Sequence, residues 1–201
     1  MRFALMLMVF LFSFSALAAE KDSAAATREV ENYLQNLRTL KARFIQTAAD
    51  GSQTTGDFLL KRPGRMKFDY DPPVKDFIVA DGTFIYYYDG QLEEQSNSLI
   101  SQSLADFFLR DKISLSGDIA VADMMRTDGL LQITLVQARH PESGSLTLGF
   151  TENPMLLKKW RVLDAQGAIT EIELFEQVSG IKLDNGLFHY YDPKRRLPRY
   201  N

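Results

Sequence analysis

The 201-residue sequence contains no cysteine. That excludes disulfides, thiolate nucleophiles and cysteine-ligated metal sites. It also excludes bacterial lipidation at the N-terminus, which is built on a cysteine at the cleavage site. Histidine is nearly as scarce, with only His140 and His189. His140 precedes Pro141 in a loop-like stretch, and His189 falls in the last expected strand. No H-E-x-x-H, G-x-S-x-G, Walker A or G-x-G-x-x-G pattern occurs. The chain is therefore expected to be no enzyme and to hold no cofactor and no metal. Positive charge is not in excess either. The net charge of −3 gives no electrostatic reason for nucleic-acid binding.

Long apolar runs are confined to the N-terminus. Arg2 precedes a stretch from Phe3 to Leu17 broken only by Ser13, Ser15 and Ala16. Ala16-Leu17-Ala18 is an A-x-A cleavage site, and the polar Glu20, Lys21 and Asp22 follow. Residues 1–18 are read as a cleaved signal peptide and 19–201 as one domain. A membrane anchor is the alternative, but the run is short for a span of ~20 residues and ends in small side chains. Export would leave a soluble protein outside the cytoplasm.

Beyond the leader, Val30, Tyr33, Leu34 and Leu37 recur at helical spacing, and Leu40 extends the stripe. Glu29, Glu31, Asn32, Gln35 and Arg38 fall elsewhere on the wheel. The period then changes to two. Strands are expected from about Ala42 to Ala48 and Gly56 to Lys61, then over Met66-Phe68-Tyr70, Phe77 to Ala80 and Thr83 to Asp89. Asp81-Gly82 joins the last two as a hairpin. Alternation resumes at Leu131-Ile133-Leu135, at Leu146-Leu148-Phe150, at Trp160-Val162 and at Ile172-Leu174. Leu187 to Tyr190 is expected to form a last short strand. Ten or eleven strands result, at the spacing of a sandwich or barrel. Ser98 to Arg110 interrupts them as a short amphipathic helix or two turns. The fold class is mainly β: one large antiparallel sheet with two apolar-faced helical segments.

Glu171 and Glu173 alternate on one strand and read as solvated sheet surface rather than a carboxylate dyad. Tyr86-Tyr87-Tyr88 reads as sheet packing, since no basic patch surrounds it for base stacking.

One ordered stretch is more specific. It comprises Phe44-x-Gln46, Gly56-Asp57-Phe58, Lys61-Arg62-Pro63-Gly64-Arg65-Met66-Lys67-Phe68-Asp69-Tyr70-Asp71-Pro72-Pro73, Ile78-Val79-Ala80-Asp81-Gly82, Tyr86-Tyr87-Tyr88-Asp89 and Leu92-Glu93-Glu94-Gln95. This order resembles the outer-membrane lipoprotein carrier protein (LolA) family. The resemblance implies an unclosed antiparallel β-barrel with a helical lid over an apolar cavity. It implies a periplasmic chaperone, acting as a monomer, for triacylated lipoproteins. These would come from an inner-membrane lipoprotein-releasing ABC transporter and pass to an outer-membrane lipoprotein acceptor. The acceptor is itself a lipoprotein, so the missing cysteine fits the carrier. The family's functional arginine, which hydrogen-bonds the lid, falls on Arg62. A family aromatic four positions later falls on Met66, a tryptophan two further on falls on Phe68, and Leu104 stands where the lid often has a proline.

Strand parity puts Phe58, Leu60 and Arg62 on one face, and Met66, Phe68 and Tyr70 likewise. With Phe44 these apolar side chains are the expected acyl-chain cavity. Val30, Tyr33, Leu34, Leu37, Leu104, Phe107 and Phe108 are the expected apolar face of the lid. Helix-end carbonyls lack intrahelical partners, and the five donors of Arg62 could satisfy several. A surface arginine before a turn proline is the alternative for Arg62. On the same fold, a lipid or lipoprotein sensor, a carrier in another envelope pathway, a lipid-directed enzyme and a ligand-free scaffold remain open. The tail from Asp192, with Lys194, Arg195, Arg196 and Arg199, is basic. It is either solvated or paired with an acidic partner or membrane surface.

Overall fold

The computed structural model describes residues 12–194. Residues 1–11 of the expected signal segment and 195–201 of the basic tail lie outside that range. Helix α1 (Phe12–Asn36) leads into β1 (Thr39–Thr47), β2 (Gln53–Lys61), β3 (Arg65–Tyr70), β4 (Phe77–Asp81), β5 (Phe84–Asp89) and β6 (Glu94–Leu99). A 3₁₀ turn (Ile100–Gln102) and the single-turn helix α2 (Asp106–Leu109) come next. The second half is β7 (Ile119–Thr127), β8 (Leu130–Gln137), β9 (Gly144–Glu152), β10 (Met155–Asp164) and β11 (Ile169–Ser179).

The eleven strands form one antiparallel sheet in the order β6-β5-β4-β3-β2-β1-β11-β10-β9-β8-β7. Each half is a meander, and the halves meet where β1 pairs with β11, with Phe44 opposite Leu174. The sheet is not closed, because β6 and β7 sit at its two edges although they are consecutive in the chain. The connector from Ile100 to Asp118 must therefore cross from one edge to the other. Its apolar residues decide that it crosses on the concave side. Phe107, Leu109, Ile113 and Leu115 are buried there with Phe58, Leu135 and Phe150 of the sheet. Helix α1 fills the other half of the trough through Ala26, Val30 and Leu34, buried in the same core.

The concave face is packed with aromatic rings. Phe44 meets Phe68 edge-on at 5.1 Å and Tyr70 at 5.2 Å, while Phe58 lies 4.8 Å from Phe68 and 5.3 Å from Trp160. Such pairs add about 0.5–1.5 kcal/mol each beyond the area they bury. The convex face of β3–β5 carries a second, smaller cluster. Val79 and Phe188 are buried there, Phe77 stacks on Tyr88 at 5.0 Å, and Tyr86 stacks on Tyr190 at 4.8 Å.

Several boundaries differ from expectation. Helix α1 stops at Asn36, and Leu40 belongs to β1, opposite Leu60, although it is still buried. Residues Leu187 to Tyr190 do not form a strand. Asn185–Phe188 is a 3₁₀ turn whose preceding residue, Asp184, accepts a hydrogen bond from the Gly186 N–H at 2.7 Å. The Asp-Asn-Gly run makes the turn, and Phe188 anchors it. His189 is thus outside the sheet and exposed. Strand β6, Glu94-Gln95-Ser96-Asn97-Ser98-Leu99, shows no alternation because it is a solvated edge. Strand β7 hides its period because its register shifts between Val121 and Asp123. The segment starting at Ser98 is two separate turns, not one helix, and begins only at Ile100.

Gly56 carries a packing constraint. A Cβ there would meet the Asp69 carbonyl oxygen and lie 2.7 Å from Phe44 Cε1. Gly56→Ala is expected to destabilise the fold by about 1–3 kcal/mol through overpacking. A lowered midpoint in urea unfolding with an unchanged slope is the readout.

Candidate functional site

Lys61 ends β2 opposite Thr39, and the Arg62-Pro63-Gly64 turn projects from that end of the sheet. The turn meets the ends of both helical segments. Arg62 is the buried charged residue of the described chain, at 6% exposure. Its Nη1 donates to the Leu34 carbonyl and, at 3.4 Å, to that of Leu37. Its Nε and Nη2 donate to the Arg110 carbonyl at 3.2 and 2.7 Å, and Nη2 also reaches the Asp111 carbonyl at 3.2 Å. The main chain of the turn joins in. Arg62 N–H donates to the Arg38 carbonyl and Gly64 N–H to that of Leu109, both at 2.8 Å. Gly64 needs its left-handed backbone (φ +75°) to do this, and a Cβ there would lie 2.8 Å from Gly82 Cα.

The last turn of α1, the two residues after it, and the chain leaving α2 thus converge on one turn. Carbonyls at helix C-termini lack intrahelical partners and carry partial negative charge, so a guanidinium is the fitting cap. Among the described residues no carboxylate hydrogen-bonds it. Burial, reinforced by the nearby Arg38 charge and opposed by Asp111, brings the Arg62 pKa down to about 10. The guanidinium stays charged at neutral pH, and its hydrogen bonds all go to main-chain carbonyls among the described residues.

Other contacts tie the two lid segments to each other. Gln35 Oε1 accepts from the Ile113 N–H at 2.8 Å, and Glu31 Oε1 from the Leu115 N–H at 2.7 Å. Arg38 pairs with the Asp111 carboxylate at 2.9 Å on the surface. Arg110 is bound by Asp106 and Asp118. On the sheet side, the Tyr33 hydroxyl accepts from the Leu157 N–H at 3.0 Å.

A cavity of about 180 Å³ remains between the α2 segment and the concave sheet. Met66, Phe68, Leu148, Trp160 and Ile172 line it from the sheet, and Leu104 and Phe108 cover it from the connector. Of the six residues expected to form the cavity, Met66 and Phe68 do line it. Phe44, Phe58 and Leu60 are fully buried in the packing beneath, and Tyr70 stands beside the cavity without lining it. The expected lid face is buried at Val30, Leu34, Leu37, Phe107 and Phe108, with Tyr33 and Leu104 partly buried against the same core. Sequence reasoning missed the contribution of the second half, including Trp160 and Val162. Their alternation was visible, but strand parity does not say which face is concave.

A charged fork that spans several carbonyls cannot be replaced by an ammonium point charge. Arg62→Lys is expected to speed backbone hydrogen exchange in residues 104–115 while the exchange of the central strands stays unchanged.

Residues 35–191 match the family model of the outer membrane lipoprotein carrier protein LolA. The chain is 27% identical over 184 residues to the outer-membrane lipoprotein carrier protein of Methylococcus capsulatus, covering 88% of each chain. It is 23% identical over 195 residues to an uncharacterized protein of Rickettsia prowazekii, covering 96% of this chain and 90% of that one. Among solved structures, an uncharacterized conserved protein from Thermus thermophilus aligns at TM-score 0.49 and 10% identity, over 86% of this chain and 96% of that one. An unclosed eleven-stranded sheet, a helical lid held at one arginine, and a family match across most of the domain lead to one conclusion: the chain belongs to the LolA family of outer-membrane lipoprotein carriers, which are periplasmic and non-catalytic.

Proposed function

We propose that this protein takes triacylated lipoproteins from an inner-membrane ATP-driven transporter, shields their acyl chains beneath the lid, and delivers them to an outer-membrane acceptor. The observation that carries this reading is the pairing of an apolar, lidded cavity with a buried arginine whose guanidinium, among the described residues, hydrogen-bonds lid carbonyls and no carboxylate.

The closed cavity is too small for the cargo. At about 180 Å³ it falls below the ~300–1,000 Å³ of ordinary ligand pockets. Three acyl chains enter only if the lid segments swing away from the sheet, and that movement breaks the Arg62 contacts. The energetics favour such a design. Burying acyl chain gains about 0.8 kcal/mol per CH₂, so one fully buried ~16-carbon chain approaches ~13 kcal/mol, the strength of a nanomolar complex. A carrier that tight would release its cargo slowly. Opening the lid costs the hydrogen bonds of a charged group, at about 1.5–3 kcal/mol each. That cost is repaid when the lid closes behind departing cargo, so the arginine makes the loaded state less favourable and the handover possible without ATP. Met66 adds an adaptable thioether to the cavity wall.

The decisive assay is transfer. Purified protein is expected to lift a lipoprotein from spheroplasts in soluble form, and Arg62→Leu to accept it but release it to the acceptor more slowly. Release at the wild-type rate would remove the latch from the mechanism. The single tryptophan offers a direct readout, because Trp160 lines the cavity. A lipopeptide with bromine on its acyl chains is expected to quench its fluorescence, whereas the same peptide without acyl chains leaves it unchanged.

A further inference from the structure

The cavity lining opens at one end along β1, β10 and β11. Phe68, Leu148 and Trp160 are buried, while Gln46, Val162 and Thr170 are partly exposed. These last three cluster by register: Val162 pairs with Thr170, and Gln46 pairs with Ile172, two residues further along the same strand face. This end is the mouth. The Arg62 turn sits at the opposite end, since Lys61 pairs with Thr39 and Gln46 lies seven residues further along β1. At strand rise that is roughly 23 Å.

Besides the indole of Trp160, Gln46 and Thr170 bring the polar groups to this lining. Gln46 is held in a defined orientation. The Tyr70 hydroxyl donates to its Oε1 at 2.7 Å. Burial pushes the Tyr70 phenol well above its ordinary pKa, so it remains a donor at any physiological pH. With Oε1 engaged, the amide turns Nε2 the other way, where it has no protein acceptor among the described residues. Thr54 pairs directly with Gln46 across β1 and β2, on the same concave face. Its Oγ1 is buried and has no hydrogen-bond partner among the described residues. Buried polar groups are nearly always satisfied, so the unpaired Thr54 hydroxyl beside the mouth calls for an explanation, and the partly exposed Gln46 amide next to it has an N–H to offer an incoming acceptor.

The cargo's own geometry supplies one. A lipoprotein must enter tails first, because its polypeptide stays in water. Its acyl chains then fill the buried end, and the carbonyls joining them to glycerol stop at the mouth. An ester carbonyl accepts hydrogen bonds and cannot donate them, which complements the open Nε2–H of Gln46. We infer that Gln46, oriented by Tyr70 and backed by Thr54, binds an ester carbonyl of the cargo's diacylglyceryl group and sets how deep the chains insert. This deepens the carrier reading and rests on it. Diacyl phospholipids carry the same carbonyls, so the site recognises the group, and experiment assigns its source.

The test compares esters with ethers. Four synthetic probes are titrated: a dipalmitoyl S-glyceryl-cysteine peptide, its dihexadecyl ether counterpart, and the matching ester and ether phosphatidylcholines. The wild-type chain is expected to bind the ester lipopeptide roughly threefold to tenfold more tightly than the ether, the range of one neutral hydrogen bond. Gln46→Leu is expected to bring that ratio close to one, and Tyr70→Phe to reduce it. A preference shown by the phospholipid pair alone supports the carbonyl site and counts against lipoproteins as its cargo. Equal binding within both the lipopeptide pair and the phospholipid pair by the wild-type chain, a comparison that needs no variant, overturns the inference and leaves the carrier reading standing. A preference that survives in Gln46→Leu overturns the assignment to Gln46. Failure to bind either lipopeptide overturns both readings.

Discussion

The guanidinium of Arg62 is buried where the helical segments meet the sheet, and its hydrogen bonds go to main-chain carbonyls. Removing a charge from water is costly unless hydrogen bonds replace the lost solvation. Arg62 meets that demand with main-chain carbonyls from two segments that are far apart in sequence. A carboxylate partner would have stabilised the charge in the open state too. In the proposed carrier cycle, carbonyls of the lid do so only when the lid is closed, so the satisfaction of one side chain is coupled to the position of the whole lid. The proposed latch follows from this: the lid carbonyls make a buried arginine tolerable, and the arginine in turn favours the closed lid.

The topology explains why a lid exists at all. An antiparallel meander of this size curls through its own twist, and pairing β1 with β11 continues the curl without closing it. The chain still has to pass from β6 at one edge to β7 at the other. A connector forced across the concave face covers the apolar trough by geometry. The helix before β1 enters from the same side, which brings its C-terminus to the Arg62 turn. The trough ends up with a charged, sealed end and a neutral, polar mouth, with packed aromatic rings between them.

Much of this was legible in the residues, and the failures have physical causes. Strands with one buried and one wet face announced themselves by alternation, as at Leu131-Ile133-Leu135 and Met66-Phe68. The edges did not. Strand β6 has no buried face to encode, and the register shift in β7 cancels the period. The stripe Val30-Leu34-Leu37 was visible, but its boundary was not, since Leu40 is apolar for a strand reason and happens to fall in helical phase. The turn at Asp184-Asn185-Gly186 was overlooked because the aromatic run after it looked like a strand. For the site, Arg62 stood out through its place in an ordered family pattern. Phe44, Phe58 and Leu60 were expected in the cavity wall and proved to lie beneath it.

The sequence by itself determined the chemistry that is absent, the mainly β fold, the amphipathic lid and the family. Each of these is written in composition, local periodicity or the order of a motif. Only the tertiary structure decided which apolar residues face empty space and which fill the core, because hydrophobicity demands burial without naming the neighbour. It alone brought Trp160 and Val162 from the second half to the cavity beside Met66 from the first. It alone aligned the ends of two helical segments on one guanidinium, and left the Thr54 hydroxyl unpaired among the described residues beside Gln46 at one end of the cavity. Those facts depend on distances between strands remote in sequence, which pairing and curl set and no local pattern encodes.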